Sequence, residues 1–155
     1  MPSMVYRACS VQDLIIRQIV ASDAAEVAGL TEELGHPVPA QVVRRRIDEL
    51  GSSTARIVYV ACLAGEPVGW IEMSETHHLS VGARAEIGGL VVASRLRSHG
   101  IGHRLIARGE EWAKQRGLAR VLVRSASQRE RAHLFYLRQG YARTKTSAVF
   151  TKELK

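Results

Sequence analysis

A short basic loop with two glycines stands at the start of a predicted helix and could hold an anion. Gly100 and Gly102 fall where a helix over about 101–116 begins, and the first backbone N–H groups of a helix have no partner within it. Glycine lets an anion approach this backbone closely, and the helix dipole favours negative charge there. Arg97 and Arg104 add positive charge beside the loop. These residue types and this spacing are typical of a diphosphate-binding cradle.

Two other phosphate-binding motifs do not fit this loop. The chain contains no G-x-x-x-x-G-K-[ST] string, which excludes a Walker A loop. The dinucleotide-binding motif G-x-G-x-x-G has Ile106 and Ala107 near the place of its third glycine. That motif also belongs at the first strand–helix turn, whereas this loop lies two-thirds of the way along the chain.

A second stretch with candidate chemistry follows about 30 residues after the loop. Residues 132–141 read AHLFYLRQGY and cover most of a helix predicted over about 128–139 together with Gly140, which closes it. Tyr136 carries a phenol with an ordinary pKa near 10, so it could donate a proton in a reaction, which a phenylalanine cannot. Since adjacent helical positions point about 100° apart, Phe135 can pack in the core while Tyr136 faces a cleft. A core aromatic is the alternative interpretation of Tyr136.

The hydrophobic pattern predicts a mixed α/β chain that would position both stretches. Three consecutive strands in the middle of the chain do not suit a doubly wound sheet and favour a partly antiparallel one with helices on both faces. A polar stretch over 75–84, with His77 and His78, is predicted to be a loop. The predicted order is β-α-α-β-β-β-α-β-α-β, with strands over 13–20, 57–63, 68–74, 85–93, 120–125 and 141–152 and helices over about 23–34, 40–50, 101–116 and 128–139.

Two motifs in this order resemble those of a known family. Residues 97–102 read as [Q/R]-x-x-G-x-[G/A] after an apolar strand end at 90–92, and residues 132–141 read as A-x-x-F-Y-x-x-x-G-[FY]. Over about residues 14–154 the chain resembles the GNAT superfamily of acyl-CoA-dependent N-acetyltransferases. The resemblance implies a GNAT-like mixed, partly antiparallel central sheet of six to seven strands, with the fourth and fifth strands splayed. It also implies a single domain over 1–155, in which residues 1–12 form a loosely ordered N-terminal extension.

The resemblance implies a site for acetyl-CoA and for no metal. Pantetheine would lie between the splayed strands like an extra strand, where Gly88 and Gly89 suit a bulge. Arg97 is the first residue of the glycine-loop motif, and a solvated surface side chain is its alternative interpretation. The implied cofactor-binding residues lie at the strand end, in the glycine loop and where many members carry an Asn: Leu90, Val91, Val92, Arg97, Ser98, His99, Gly100, Ile101, Gly102, His103 and Arg129.

The resemblance also implies the catalytic residues. Tyr136 matches the tyrosine that the family places beside the cofactor sulfur. Glu86 lies eleven residues before Arg97, an offset similar to that of the general base in the histone acetyltransferase branch, and its neighbours on the strand are apolar and point the other way. Glu72 on the neighbouring strand is the second candidate for the base, and water alone is a third. For either glutamate, a surface position is the alternative.

The expected function is direct transfer of an acetyl group from acetyl-CoA to a primary amine of a small molecule or protein. The alternatives are a non-catalytic acyl-CoA-binding regulator and an acetyltransferase acting on an RNA-linked amine. Many members carry an acidic pair where this chain has Gly88 and Gly89, which leaves the positioning of the acceptor open. The sequence does not specify the acceptor. The candidate specificity residues carry charges of both signs and do not form the concentrated acidic cleft that a polycationic aminoglycoside would need. These residues are Glu32, Glu33, His36, Arg44, Arg45 and Arg46.

Composition limits the class of protein and its partners. The 155 residues carry 22 Lys and Arg against 15 Asp and Glu, a net charge of +7 that favours anionic partners. The arginines are scattered apart from residues 44–46, so nucleic acid is not indicated. No apolar run is long enough to span a membrane, the first 13 residues lack the apolar region typical of a signal peptide, and Cys9 and Cys62 are too few for a disulfide scaffold. We therefore expect a cytoplasmic protein without a membrane partner; homodimers are common in the family, but nothing in this sequence fixes one.

Overall fold

A computed structural model describes residues 10–155, which separate into two compact units. The first unit ends at Val123 and the second begins at Arg124. Most of the expected N-terminal extension, with Cys9, lies outside the described residues, while Val11–Asp13 form one turn of 3-10 helix before the first strand. The single domain expected over 1–155 stays a prediction.

The first unit is built on one five-stranded sheet. Its order is β1-β2-β3-β4-β5, antiparallel from β1 to β4 and parallel between β4 and β5. Strands β2, β3 and β4 are joined by consecutive hairpins, as the three consecutive predicted strands required, whereas two helices separate β1 from β2. The strands are β1 (Ile15–Gln18), β2 (Arg56–Leu63), β3 (Glu66–His78), β4 (Gly82–Val92) and β5 (Val121–Val123).

Helices cover both faces of this sheet, which confirms the predicted α/β class. On one face, α1 (Ala24–Glu33) and α2 (Ala40–Leu50) share a buried apolar cluster with alternate residues of β2 and with the carboxyl end of β4. On the other face, α3 (Ile101–Gln115) packs on β3, and its Arg108 guanidinium lies 4.4 Å from the centre of the Tyr59 ring. Because side chains alternate along a strand, β2 presents these two sets to opposite faces.

Two expectations about the strands were wrong. The sheet has five strands rather than six to seven, because residues 139–155 form no helix or strand. A β-prone segment can pair only where the edge of a sheet is free and within its reach, and a sequence does not show where such an edge lies. The predicted loop over 75–84 is mostly strand, with a tip at residues 79–81 only. Its polar side chains suit a hairpin that extends into solvent, since an antiparallel pair tolerates water on its faces.

The second unit contains one helix, α4 (Glu130–Arg138), within the range predicted for it. Three rings cluster at its end: Tyr136 contacts Phe135 edge to face, with centroids 5.4 Å apart, and Tyr141 in the same way at 5.8 Å. The Tyr141 N–H donates to the Tyr136 carbonyl at 3.0 Å, which turns the chain back after Gly140. The helix end and this turn therefore fix the position of the Tyr136 ring within its unit.

A buried carboxylate joins the residue before α1 to strand β1. Asp23 is 4% exposed, accepts two hydrogen bonds from the Arg17 guanidinium at 2.8 Å and accepts a third from the Val20 N–H at 2.9 Å. The hydrogen bonds from Arg17 hold the pKa of Asp23 below its usual range, against the opposing effect of burial. A lowered pKa means that the folded chain binds the Asp23 proton less readily than the unfolded chain does.

We expect Asp23→Asn to lower the free energy of unfolding by about 1–2 kcal/mol at pH 7, because it weakens charged hydrogen bonds at a buried group. The stabilisation by Asp23 is present above the unfolded-state pKa of about 3.9 and is lost as the pH falls through the lower folded-state pKa. Urea denaturation of both proteins at pH 7 and pH 3 checks this. The difference should shrink in acid, and the exposed control Asp48→Asn should cost little at either pH.

Candidate active site

Strand β4, which lies between β3 and β5, is interrupted by a β-bulge at its two glycines. Glu72 of β3 lies opposite Gly89 and Met73 lies opposite Ile87, so Gly88 is the extra residue. A Cβ atom on Gly89 would lie 2.5 Å from Cη2 and 2.7 Å from Cζ3 of the buried Trp70 ring. The expected bulge is confirmed, and Gly89 is required because the Trp70 ring fills the space of a side chain.

Beyond this bulge, β4 loses its parallel neighbour. Strand β5 pairs with β4 only over residues 85–87, whereas residues 89–92 continue to pair with β3. Within the part of the chain that the structure describes, no strand lies on the other side of 88–92. The expected splay of the fourth and fifth strands is therefore present, and it leaves a row of backbone N–H and C=O groups that an extended ligand could pair with.

The loop after β4 leads into an uncapped helix start. Gly100, the N-cap of α3, has φ +80°, and Ser98 has φ +66°, so the backbone winds left-handed twice before the helix. No side chain caps α3, and its first turn contains no acidic residue. Helix-start N–H groups without a capping side chain and with a positive dipole favour an anion.

Side chains around this loop have different tasks. A ring nitrogen of His99, Nδ1, lies 2.8 Å from the Arg97 carbonyl and 3.1 Å from that of Leu96, which folds the loop over itself. Arg97 is exposed. Arg104 donates to the Leu14 carbonyl at 2.9 Å, so its guanidinium ties α3 to the chain before β1. The positive charge expected beside the loop is therefore left to Arg97 more than to Arg104.

Both candidate bases lie on the sheet face that α1 and α2 cover. Glu86 is half-buried and lies opposite Ser74 of β3, while its neighbours Ala85 and Ile87 are buried on the other face, as their alternation predicted. Glu72 lies two residues before Ser74 on that face, and its Oε1 accepts from the Arg56 guanidinium at 3.0 Å. The Glu72 carboxylate is therefore held by an ion pair.

The second unit holds the remaining candidates. Burial raises the pKa of the Tyr136 phenol, and the nearby positive charge of Arg129 opposes this only in part. The phenol is therefore protonated at neutral pH, which is the state that a proton donor needs. Arg129 is exposed and stands at the N-cap position of α4, where its carbonyl accepts from the His133 N–H at 3.1 Å.

One cleft in the first unit was not predicted as such. It has a volume of about 460 Å³ and lies at the end of α1 and along α2. His36 and Arg46 were candidate specificity residues. They meet in one cleft because the chain turns at Pro37 and Pro39 between the two helices, and the spacing of residues in a sequence does not predict the path of such a turn. It is lined by Thr31, Gly35, His36, Pro37, Val38 and Arg46.

Two further properties concern residues 10–155 as a whole. None of their helices combines the length and the hydropathy needed to cross a membrane. No group of three or more His, Cys, Asp or Glu side chains among them is arranged to hold a metal ion. Cys62 is buried, as expected, and burial raises the pKa of its thiol.

Comparison with known proteins supplies the family. The acetyltransferase (GNAT) family model matches residues 26–141. An aminoalkylphosphonate N-acetyltransferase of Salmonella typhimurium is 38% identical over 91 residues, which are 58% of this chain and 58% of that protein. The chain therefore spans about three-fifths of the length of this curated relative.

Solved structures share the fold. The aminoglycoside N-acetyltransferase AAC(6')-Iy in complex with CoA has a TM-score of 0.82 and 18% identity, over 91% of this chain and 95% of that one. The aminoglycoside 6'-N-acetyltransferase AAC(6')-Ih from Acinetobacter baumannii has a TM-score of 0.79 and 21% identity, over 92% and 99%. The family model spans all four helices from within α1 and all strands after β1, both units included. This chain belongs to the acetyltransferase (GNAT) family.

Proposed function

We propose that the protein is an acetyl-CoA-dependent N-acetyltransferase that moves the acetyl group directly to a primary amine. The observation that carries the proposal is the open side of β4 at residues 88–92, followed at once by the uncapped start of α3. One feature suits an amide-containing arm and the other a diphosphate, and acetyl-CoA contains both. Family membership and the curated relative, which is named for N-acetyl transfer, agree with this.

The cofactor-binding residues follow from these two features. The backbone groups of Leu90, Val91 and Val92 would pair with the pantetheine arm as another strand does. The backbone of the loop would hold the pyrophosphate, and Arg97 would neutralise part of its charge. Arg129, at the position where many family members carry an Asn, stays a candidate for the pantetheine arm. The loop residues concerned are Arg97, Ser98, His99, Gly100, Ile101, Gly102 and His103.

Proton transfer would be shared between two side chains. Acetyl-CoA supplies an activated acyl group, and the acceptor nitrogen forms the new C–N bond as the C–S bond breaks. Glu86 would take the proton that the amine loses, directly or through water, because a typical alkyl amine is mostly protonated near pH 7 and must be neutral to attack. Tyr136 would give a proton to the leaving thiolate. Glu72 stays the second candidate for the base, although its ion pair with Arg56 competes with that role.

The acceptor amine is the finer part of the proposal. The curated relative is named for aminoalkylphosphonates, and the two structural neighbours for aminoglycosides. The sequence relationship to the first favours a small amine over a protein or an RNA-linked amine. A binding regulator without turnover remains the alternative of another class, and the half-buried Glu86 and the protonated Tyr136 phenol favour the enzyme.

A homodimer is a further proposal. Three apolar side chains of the C-terminal segment are largely exposed, namely Val149, Phe150 and Leu154, at 83%, 93% and 87%. The sheet of the first unit has two edge strands, β1 and β5, each paired on one side only among the residues described. In a homodimer, a second copy would pair with one of these edge strands or pack against these apolar side chains. Light scattering of the full chain measures the oligomeric state. The cytoplasmic location expected from the sequence stays a prediction.

The experiment that tests the function follows CoA release with a thiol reagent and the acetylated product by mass spectrometry. Acetyl-CoA would be offered with 1-aminoethylphosphonate, with an aminoglycoside and with a lysine-containing peptide. An N-acetylated product that forms together with free CoA is the expected result for at least one amine. Saturable binding of acetyl-CoA without any product across the three classes would favour the regulator.

A further inference from the structure

The cleft between α1 and α2 carries positive charge without a matching negative one. The six residues that line it include His36 and Arg46 but no carboxylate. Arg45, one position earlier on α2, is paired with Glu49 at 3.9 Å, whereas no ion pair or hydrogen bond joins Arg46 to another side chain in the part of the chain that the structure describes. The cleft therefore offers one guanidinium with its donors available.

Neighbouring side chains in the cleft add one further donor and an apolar wall to this guanidinium. The His36 imidazole is exposed in the cleft and can donate a hydrogen bond from a ring N–H. The Thr31 hydroxyl donates to the Val27 carbonyl at 2.7 Å, which fixes the side chain at the cleft wall. The apolar side of the cleft is formed by Val38 and Pro37. An anionic head on a short carbon chain matches this combination of a guanidinium, an imidazole and an apolar wall.

The cleft lies on the helices that cover one face of the sheet, and these helices contact the carboxyl end of β4. Glu33, three residues before His36, accepts a hydrogen bond at 2.8 Å from the N–H of Ser94, which lies two residues after the end of β4. Leu34 and Val38 pack on the apolar cluster that contains Val91 and Ala93. The cleft is thus tied by a hydrogen bond and by packing to the strand end where acyl transfer is proposed.

We infer that this cleft binds the anionic group of the acceptor, and that the acceptor is a small amine carrying a phosphonate or another compact anion. The inference rests on the proposed function and names its substrate class. Arg46 would contact the anion with its guanidinium and His36 with a ring N–H, leaving the amine at the other end of the molecule for the transfer. Both are specificity residues and take no part in the proton transfers.

Charge separates this acceptor from an aminoglycoside. An unpaired guanidinium repels a polycation, and the cleft provides no carboxylate to offset that repulsion. A phosphonate gains charge-assisted hydrogen bonds in the same place. The cleft therefore favours the acceptor class named for the curated relative over the class named for the structural neighbours.

The test compares Arg46→Gln with Arg44→Gln, two substitutions that remove an exposed arginine from the same helix. Only Arg46 lines the cleft. With 1-aminoethylphosphonate we expect Arg46→Gln to raise KM about tenfold or more with little change in kcat. The loss of a hydrogen bond to a charged group typically weakens binding by about this factor. Arg44→Gln should leave KM within about twofold. With ethylamine, which lacks the anion, wild type and Arg46→Gln should behave alike.

A binding measurement keeps the anion site separate from the reaction. Methylphosphonate would be titrated into the protein saturated with CoA, so that the glycine loop is occupied, and the amide NMR signals of Gly35, His36 and Val38 would be followed. Saturable shifts that Arg46→Gln removes and Arg44→Gln retains support the site, even if no amine is acetylated and the proposed function fails. No saturable shift at these residues, or an equal loss in both variants, overturns the inference.

Discussion

Tyr136→Phe should lower kcat by about 100-fold or more while leaving the affinity for acetyl-CoA nearly unchanged. The substitution removes only the hydroxyl, and with it the proton that the leaving thiolate would receive; general acid catalysis typically contributes a factor of this size. Because burial raises the pKa of this phenol, the wild-type enzyme should keep the donor protonated through neutral pH. Its kcat should fall only as the pH rises past the ordinary tyrosine value near 10.

The matched control is Tyr141→Phe, which removes a hydroxyl from the neighbouring ring of the same cluster. Steady-state kinetics and thermal unfolding of both variants separate chemistry from packing. We expect the Tyr136→Phe enzyme to fold normally and to lose the alkaline limb of the pH profile, whereas the control keeps both rate and profile. If the two variants have equal kcat values near that of the wild type, Tyr136 is a core aromatic, the alternative interpretation of its sequence position.

Gly89→Val should destabilise the protein more than any of the other substitutions, by about 3 kcal/mol, because overpacking of a filled core typically costs about 1–3 kcal/mol and occasionally more. The first atom of any side chain at this position would lie 2.5 Å from the Trp70 ring, well inside contact distance. Trp70 is 9% exposed and its ring is rigid, so either the ring or β4 must move. A shift of β4 would also displace the backbone of residues 90–92.

Thermal unfolding with and without acetyl-CoA measures both effects. The neighbouring Gly88→Ala is the control, because a Cβ there would lie 3.2 Å from the Glu72 carboxylate, the far end of a flexible side chain that can shift together with its exposed ion-pair partner Arg56. We expect a melting temperature lower by about 10 °C for Gly89→Val and a small change for Gly88→Ala. A Gly89→Val protein as stable as the control would show that the Trp70 ring does not fill the space beside β4.

Local sequence patterns predicted most helices and strands. The helical period of about 3.6 residues and the strand period of about 2 are clear where an element buries one face. The helix over Ala40–Leu50 and the strand over Arg56–Leu63 lie within a residue of their predicted bounds. The glycine loop and the bulge at Gly88 and Gly89 were also found, since glycine occurs where the backbone needs unusual freedom or close approach. These are short-range features, and short-range pattern is what a sequence displays.

Features that depend on a distant partner were missed. Residues 141–152 have β-prone composition but form no strand in the described chain, and no local pattern reports whether a sheet edge is free. The Arg104 guanidinium turns to the carbonyl of Leu14, 90 residues earlier, rather than to the loop beside it. The cleft between α1 and α2 likewise needs His36 and Arg46 to meet through a folded turn.

The most direct test of acetyl-CoA recognition is the thermal unfolding of the wild-type protein with acetyl-CoA, ATP or NADH. A ligand at about 100 times its Kd adds about 2.7 kcal/mol to the free energy of unfolding, which raises the melting temperature by several degrees in a chain of this size. Stabilisation by acetyl-CoA and by neither nucleotide is the predicted result. Stabilisation by ATP or NADH with none by acetyl-CoA would contradict the assignment of the β4–α3 loop and every catalytic role that depends on it.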